Sequence, residues 1–496
     1  MSVGSRAINV IVQVGSTMCL ARLLSPDDFG LVAMVAAITG FAPMLVDLGT
    51  RDAAVQKSQI TEEEVSALFW LTVGLGLGLG ILLALCSPLI ASFYHESRLQ
   101  RIAIVSSLTF VLSAASCQHF ALLRRAMMFQ KIAILEVGSN LFSAVCAVAM
   151  AFSGAGYWAL VAKPILGSFF TVVGVWICCR WLPGLPKLTA GVKEMVKFGL
   201  NITGFTMTDY AGRAADRIGL GAKVGARPLG HYQNALFVYD NTLGLLSVSL
   251  HSVAVASLSK LRDNLPELRR AWANALSTVA FFGMPVFALM AVTGQDFMVV
   301  LLGEKWVHAG TLVSLLALRG MPHVVERTLG WLHVSAGRAD RWMRWGLVSS
   351  AVQIAALLCG LPFGTKGVAI AYAICMYILF VPALVYAGQP LGIRARDVIR
   401  VVGAPLVGSL VTTAVGFLLR YSVLAEMPKI GRIAIMILLC GACYLLIVVW
   451  LFKITKPLQV ARSLGRDFLP KRFHRFVGLG FERAPKKVEE RPVATQ

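Results

Sequence analysis

The chain has 496 residues, 57% of them hydrophobic and only 14% charged, with a mean hydropathy of +0.73. A soluble domain carries about a quarter of its residues as charge, so this chain lacks the charged shell that a soluble core of its size requires, and a soluble enzyme is excluded. The net charge of +21 can signal nucleic acid, but here Lys and Arg gather in short loops and in the tail, as they do in membrane proteins, and no nucleic-acid partner is expected.

Only helices and closed barrels satisfy the backbone in lipid. The apolar runs are long and rich in Leu, Ala, Val and Gly rather than short and alternating. They predict an all-α polytopic membrane protein of about fourteen transmembrane helices. The first span, 4–22, is short and polar for one, with a single early cation, Arg6, and no cleavable signal. Spans follow at 29–48, 66–93, 102–122, 132–152 and 157–179. The third holds Gly74, Gly76, Gly78 and Gly80. No strand precedes this run and no Gly-Lys-Ser/Thr follows, so it predicts close helix packing rather than a phosphate loop. Residues 180–197, punctuated by Pro and Gly, separate these six spans from six more at 198–221, 232–255, 272–294, 309–332, 345–362 and 367–388. A second break, 389–398, leads to 399–419 and 431–452.

The layout is therefore an N-lobe (1–180), a cytoplasmic linker (181–197), a C-lobe (198–388), two added helices (389–452) and a basic tail (453–496) suited to anionic lipid. Loops on the N-terminal side of the membrane hold roughly twice the Lys and Arg of the opposite loops. That bias places both termini in the cytoplasm. The ten Cys lie mostly within apolar runs. Cys178–Cys179 and the Cys440/Cys443 pair read as small apolar helix residues rather than redox or metal pairs. There is no HExxH, GxSxG or zinc-type spacing, so no catalytic residue, cofactor or metal is expected.

Charges inside spans are the informative exceptions, because each costs roughly 2.5–3.5 kcal/mol at mid-bilayer on insertion scales. The seventh span carries Asp209, Arg213, Asp216 and Arg217 within an arc of about 100° at helical spacing. Internal ion pairing along the helix explains them as well as a polar stripe lining a cavity does. The tenth span repeats the offsets with Arg319, His323, Glu326 and Arg327. Lys163 lies a turn and a half into the sixth span, and Asp240 and His251 lie in the eighth. Cations on helices of both lobes point to an anionic ligand in a membrane cavity.

Several segments, in order over roughly residues 15–400, resemble the polysaccharide-transport (Wzx-type) flippases. They are ARLLSPDDFGLVAM (21–34), VDLGTRDAAVQK (46–57), SALFWLTVGLGLG (66–78), LLRRAMMF (122–129), GYWALVAK (156–163), RAADRIGLGAKVGARPLGHYQNA (213–235), LLGEKWVHAG (301–310) and SAGRAD (335–340). The resemblance implies the multidrug/oligosaccharidyl-lipid/polysaccharide exporter fold, with two six-helix lobes around a central cavity. It implies that undecaprenyl-diphosphate-linked oligosaccharide is flipped across the bacterial inner membrane by alternating access, with the polymerase and glycosyltransferases of the pathway as partners. By matched position Arg213 and Asp216 carry over best, and Asp47 carries over from the DLG turn, where capping explains it equally. The chain departs from the pattern in three places. It starts about a dozen residues late, which abbreviates the first helix. Ala256 replaces a usual Pro, and Asp240–Asn241 stand near a usual Leu-Pro, so the eighth span is expected to kink differently.

On this reading Arg213, Arg217, Arg319, Arg327 and Lys163 attract the diphosphate and acidic sugars. Asp209, Asp216, Asp240 and Glu326 pair with those cations or couple an ion. Membrane lipids are the remaining partner. Two rivals stay open. A drug or cation antiporter of the same fold predicts an acidic, aromatic-lined cavity. A membrane glycan polymerase predicts a large outward catalytic loop, and the outward loops here are all short.

Overall fold

The computed structural model describes residues 3–57, 60–186, 190–260, 264–335, 339–454 and 457. Every regular element among them is helical. In order they are α1 (Val3–Leu23), α2 (Pro26–Thr39), α3 (Ala42–Asp47), α4 (Thr50–Gln56), α5 (Glu62–Tyr94), α6 (Arg98–Ser106), α7 (Leu108–Arg125), α8 (Phe129–Phe152), α9 (Trp158–Cys179), α10 (Ala190–Val224), α11 (Ala226–Lys260), α12 (Leu265–Leu302), α13 (Val307–Glu326), α14 (Leu329–Ser335), α15 (Ala339–Gly360), α16 (Gly364–Gly388), α17 (Ala395–Ser422) and α18 (Lys429–Leu445), which a π turn extends to Leu451. The basic tail lies almost wholly outside the described residues.

Nine stretches among the described residues are long and apolar enough to cross a membrane. One of them, Asp340–Leu391, holds both α15 and α16. Helices α1, α10, α11 and α13 match a span in length but carry more polar residues, and fourteen crossings require all four. Helix α1 has 21 residues, about 30 Å at 1.5 Å per residue, so the first span lacks apolar residues rather than length. Helix α10 starts at Ala190, inside the segment expected to be linker. The large apolar side chains Leu85, Leu89, Ile177 and Leu438 stand exposed on the outside, as lipid requires and water does not.

Helix starts follow their capping chemistry. Ser25 and Asp28 form a capping box before α2, with Pro26 in its first turn, and Thr61 and Glu64 do the same for α5. The glycine run behaves as packing. A Cβ on Gly76 would meet Ala114 and the Phe110 carbonyl of α7 within 2.8 Å, whereas Gly74 and Gly78 face open space. All ten cysteines are unpaired.

Packing divides the helices into two sets, α1–α9 and α10–α18, which meet along α2 and α11. Gly30 and Gly230 let those two backbones touch, since a Cβ on either would lie within 2 Å of the other helix's carbonyls. At the face carrying the α1–α2 turn, the sets cap each other's helix ends. Arg22 donates to the Val300 carbonyl at 2.9 Å, Lys305 donates to the Arg22 carbonyl at 3.0 Å and to that of Leu24, and Trp306 Nε1 donates to the Ala21 carbonyl at 2.9 Å. Trp306 is fully buried there, edge-on to Phe29. At the opposite face, the α3–α4 elbow turns through left-handed Leu48 and Gly49, and a Cβ on Gly49 would lie 2.7 Å from the Gly199 backbone of α10.

Two prolines in α12 and α13 are answered by neighbouring helices. Pro285 and Pro322 lack the N–H that would bond the carbonyls of Phe281 and Leu318. Tyr444 Oη donates to the Phe281 carbonyl at 2.8 Å, and Tyr377 Oη to the Leu318 carbonyl at 3.1 Å. An unpaired carbonyl in lipid costs several kcal/mol, so these bonds hold α18 to α12 and α16 to α13. Buried Asp296 of α12 adds to the first junction, with Arg420 of α17 and Arg432 of α18 each 3.3 Å from it. The tenth span expected at 309–332 is broken into α13 and α14 just after its charged stripe.

Candidate functional site

Apart from the Asp296 cluster, two groups of polar side chains stand out among the described residues, one in each helix set. The group in the C-terminal set draws on four helices. Tyr232 and Tyr239 of α11 are seven residues apart and share a face. Tyr232 Oη donates to Asp216 Oδ2 of α10 at 2.8 Å, and the Arg217 amide donates to Asp216 Oδ1 at 2.7 Å. Tyr239 Oη lies 2.6 Å from His323 Nδ1 of α13, and His323 Nε2 lies 3.8 Å from Glu326 Oε2. Hydrogen bonds thus join Asp216 to Tyr232 and Tyr239 to His323, and Glu326 stands beside that histidine without a hydrogen bond to it.

Between the two pairs sits Arg319. Its guanidinium lies over the ring of Tyr372 of α16 at 4.9 Å and over that of Tyr239 at 6.0 Å. No hydrogen bond or ion pair joins it among the described residues, and it is partly accessible. The ring faces hold the cation by their quadrupoles, leaving its N–H donors for something else. Asp216 is near enough to Arg319 to interact electrostatically but is fully buried against Tyr232.

The second group lines a cavity of about 480 Å³ inside the N-terminal set. Residues of α3, α4, α7, α8 and α9 line it. Asp47 caps the elbow, accepting from the Arg51 amide at 2.9 Å and from the Thr50 hydroxyl. Arg51 lies over Phe120 at 5.5 Å. Lys163 donates to Ser16 of α1 at 2.7 Å, and Asn140 donates to Asn9 at 3.2 Å. Glu136 of α8 has no hydrogen bond or ion pair among the described residues.

The expected site residues therefore divide. Asp216, Arg217, Arg319 and Glu326 come together. Arg327 and Asp240 are exposed near the same group. The side chains of Asp209, Arg213 and His251 lie outside the described residues. Lys163 does not join this group, because α9 packs on α7 and α8 and turns the side chain into the N-terminal cavity. Tyr232 stands in the family-like Leu-Gly-x-Tyr stretch of 213–235, but the sequence did not single out Tyr239, Tyr372 or Glu136. Glu136 had a usable signal, an acid inside the apolar run 132–152. The tyrosines had little, since a tyrosine in a span is common and its partner here is on another helix. The eighth span, expected to kink differently from the family's, is helical from Ala226 to Lys260, and Asn241 bonds back to the Phe237 carbonyl at 2.7 Å.

The family model described as "Polysaccharide biosynthesis protein" matches residues 19–310. The chain is 26% identical over 408 residues to the lipopolysaccharide biosynthesis protein WzxC of Escherichia coli (strain K12), covering 81% of this chain and 82% of that one. It is 25% identical over 465 residues to the teichuronic acid biosynthesis protein TuaB of Bacillus subtilis (strain 168), covering 90% and 93%. Among solved structures, the lipid II flippase MurJ in an inward closed conformation aligns with a TM-score of 0.72 at 14% identity, covering 90% of this chain and 98% of that one. At that identity the likeness is one of fold.

Proposed function

The chain belongs to the polysaccharide biosynthesis protein family, a family of multi-pass membrane transporters, and we propose that it flips undecaprenyl-diphosphate-linked oligosaccharide repeat units from the cytoplasmic to the outer leaflet of the bacterial inner membrane. In this reading the two lobes (1–180 and 198–388) alternate between inward- and outward-open states around the substrate, residues 389–452 add two spans, and both termini are cytoplasmic. The substrate drives the change only as far as it binds the two states unequally.

The observation that carries the reading is Arg319. A cation within a span is costly, and this one lies over two tyrosine rings with its donors unspent. An incoming diphosphate completes it with charge-assisted, bidentate bonds of the kind arginine favours. Arg217 adds charge from α10, and Arg213 is one turn away from it in the sequence of that helix. Asp216 is bonded to Tyr232, and Glu326 stands beside the His323 that bonds Tyr239, so these two carboxyls are the coupling candidates. Lateral access between lobes keeps the lipid tail in the bilayer.

An antiporter for drug cations would need a net acidic centre, and here Asp216 and Glu326 are matched by Arg217 and Arg319. A polymerase would need a large loop, and the turns 24–25, 95–97 and 153–157 are short. Deletion of the gene is expected to accumulate unflipped lipid-linked repeat units in the cytoplasmic leaflet. Complementation with Arg319→Ala should fail while the protein still inserts. Normal polymer from the Arg213→Ala, Arg217→Ala, Arg319→Ala triple variant would sink the reading.

A further inference from the structure

We infer that the cavity in the N-terminal helix set is a carbohydrate subsite that takes a pyranose of the substrate's head group; the inference rests on the flippase reading above. The cavity has about 480 Å³, within the range of roughly 300–1,000 Å³ usual for small-ligand sites. Its lining mixes both signs of charge with hydroxyls, and that mixture narrows the ligand. Asp47 and Arg51 lie 3.8 Å apart and answer each other. Glu136 opposes a diphosphate, and Lys163 opposes a metal ion or an organic cation.

A sugar fits this mixture. Each of its hydroxyls is a donor and an acceptor, and serine hydroxyls answer in both senses. Ser116 and Ser143 spend their protons on carbonyls three residues back in their own helices, which leaves their lone pairs to the cavity. Ser139 and Ser168 make no hydrogen bond among the described residues, so their protons remain to be given. Glu136 is an acceptor pair suited to two vicinal hydroxyls. Lys163 uses one of its three donors on Ser16 and keeps two. Donors and acceptors thus face one volume from α7, α8 and α9, so the subsite reads a ring of hydroxyls while the diphosphate lies at Arg319 in the other helix set.

The test uses full-length protein in lipid nanodiscs. Binding is measured for undecaprenyl diphosphate alone and for the same carrier headed by glucose, galactose or N-acetylglucosamine. Wild type should bind at least one sugar-headed carrier about tenfold more tightly than the bare one. Glu136→Gln, and separately the gentler Ser139→Ala/Ser168→Ala pair, should erase that gain and leave the affinity for bare carrier unchanged. Retention of the gain in both variants overturns the subsite, as does a wild type that binds bare carrier and gains nothing from any sugar, and the flippase reading survives either result. A wild type that binds no carrier at all overturns the flippase reading and the subsite with it.

Discussion

The two helix sets meet differently at their two faces. At the face of the α1–α2 turn, charged and aromatic side chains of one set cap the helix ends of the other, reciprocally: Arg22 caps α12, while Lys305 and Trp306 cap α1. At the elbow face Gly49 approaches Gly199, and Val192 and Met195 of α10 pack with Ala53, Ala54 and Leu68. The first junction adds to the close approach of Gly30 and Gly230 a set of separate bonds that can break one by one and be replaced by water. The second is a matter of apolar fit, intolerant of any added atom. A transporter that opens each face in turn therefore separates matched surfaces at both and breaks this set of discrete bonds at one.

The sharpest way to break the contrast is Trp306→Ala. It removes a fully buried ring and its bond to α1, and should destabilise the chain by about 3–5 kcal/mol, read as a lower Tm with faster hydrogen exchange over residues 20–30. Next comes Arg22→Met with Lys305→Met. Each loses charge-assisted bonds of about 1.5–3 kcal/mol. Because the two cap opposite helices in one seam, a double-mutant cycle should show a coupling above about 0.5 kcal/mol, and strict additivity would mean that the two caps act alone. At the elbow face, Gly49→Ala places a Cβ at left-handed φ against Gly199, at about 1–2 kcal/mol for the backbone alone. Exchange should rise in α4 and near residue 199 and stay unchanged at residues 20–30; a rise at both would show that the faces move as one.

The smallest effect belongs to a charge pair that stays inside the N-terminal set. Arg98 donates to Glu96 at 2.9 Å and lies 3.1 Å from Asp27, and the hydrogen bond from Arg98 holds the Glu96 carboxyl below its ordinary range. A carboxyl lowered on folding stabilises the protein at pH above its unfolded value, and that contribution is lost as pH falls through the folded one. Glu96→Gln should thus cost about 0.2–1 kcal/mol at neutral pH, with the Tm difference from wild type closing as the solution is acidified. A difference that persists in acid would assign the effect to packing.

The spans were legible because hydropathy reports a property of each residue alone, whether it tolerates lipid. The stripe Arg319, His323, Glu326 was legible for the same reason, as costly charges at helical spacing. What each charge faces was not, because that depends on helices far apart in sequence. Arg319 lies over Tyr239 and Tyr372, residues on two other helices. Lys163 was grouped with the other cations, yet the packing of α9 gives it a different chamber. The first span, 4–22, lies within one residue of α1 at each end, and its serines and glutamine keep it less apolar than the spans that follow.

The tyrosine bonds to proline-freed carbonyls have a consequence in time. The Phe281 carbonyl is orphaned as soon as α12 is made, but its donor, Tyr444, lies 163 residues further on, roughly 8–30 s of synthesis. The Leu318 carbonyl waits for Tyr377, 59 residues away. During those intervals the nascent chain carries an unmet acceptor at membrane depth, one that water, lipid head groups or an insertion factor must cover. Arrival of α18 ends the longer wait, so a chain cut before Tyr444 carries a defect in α12 that marks it as unfinished.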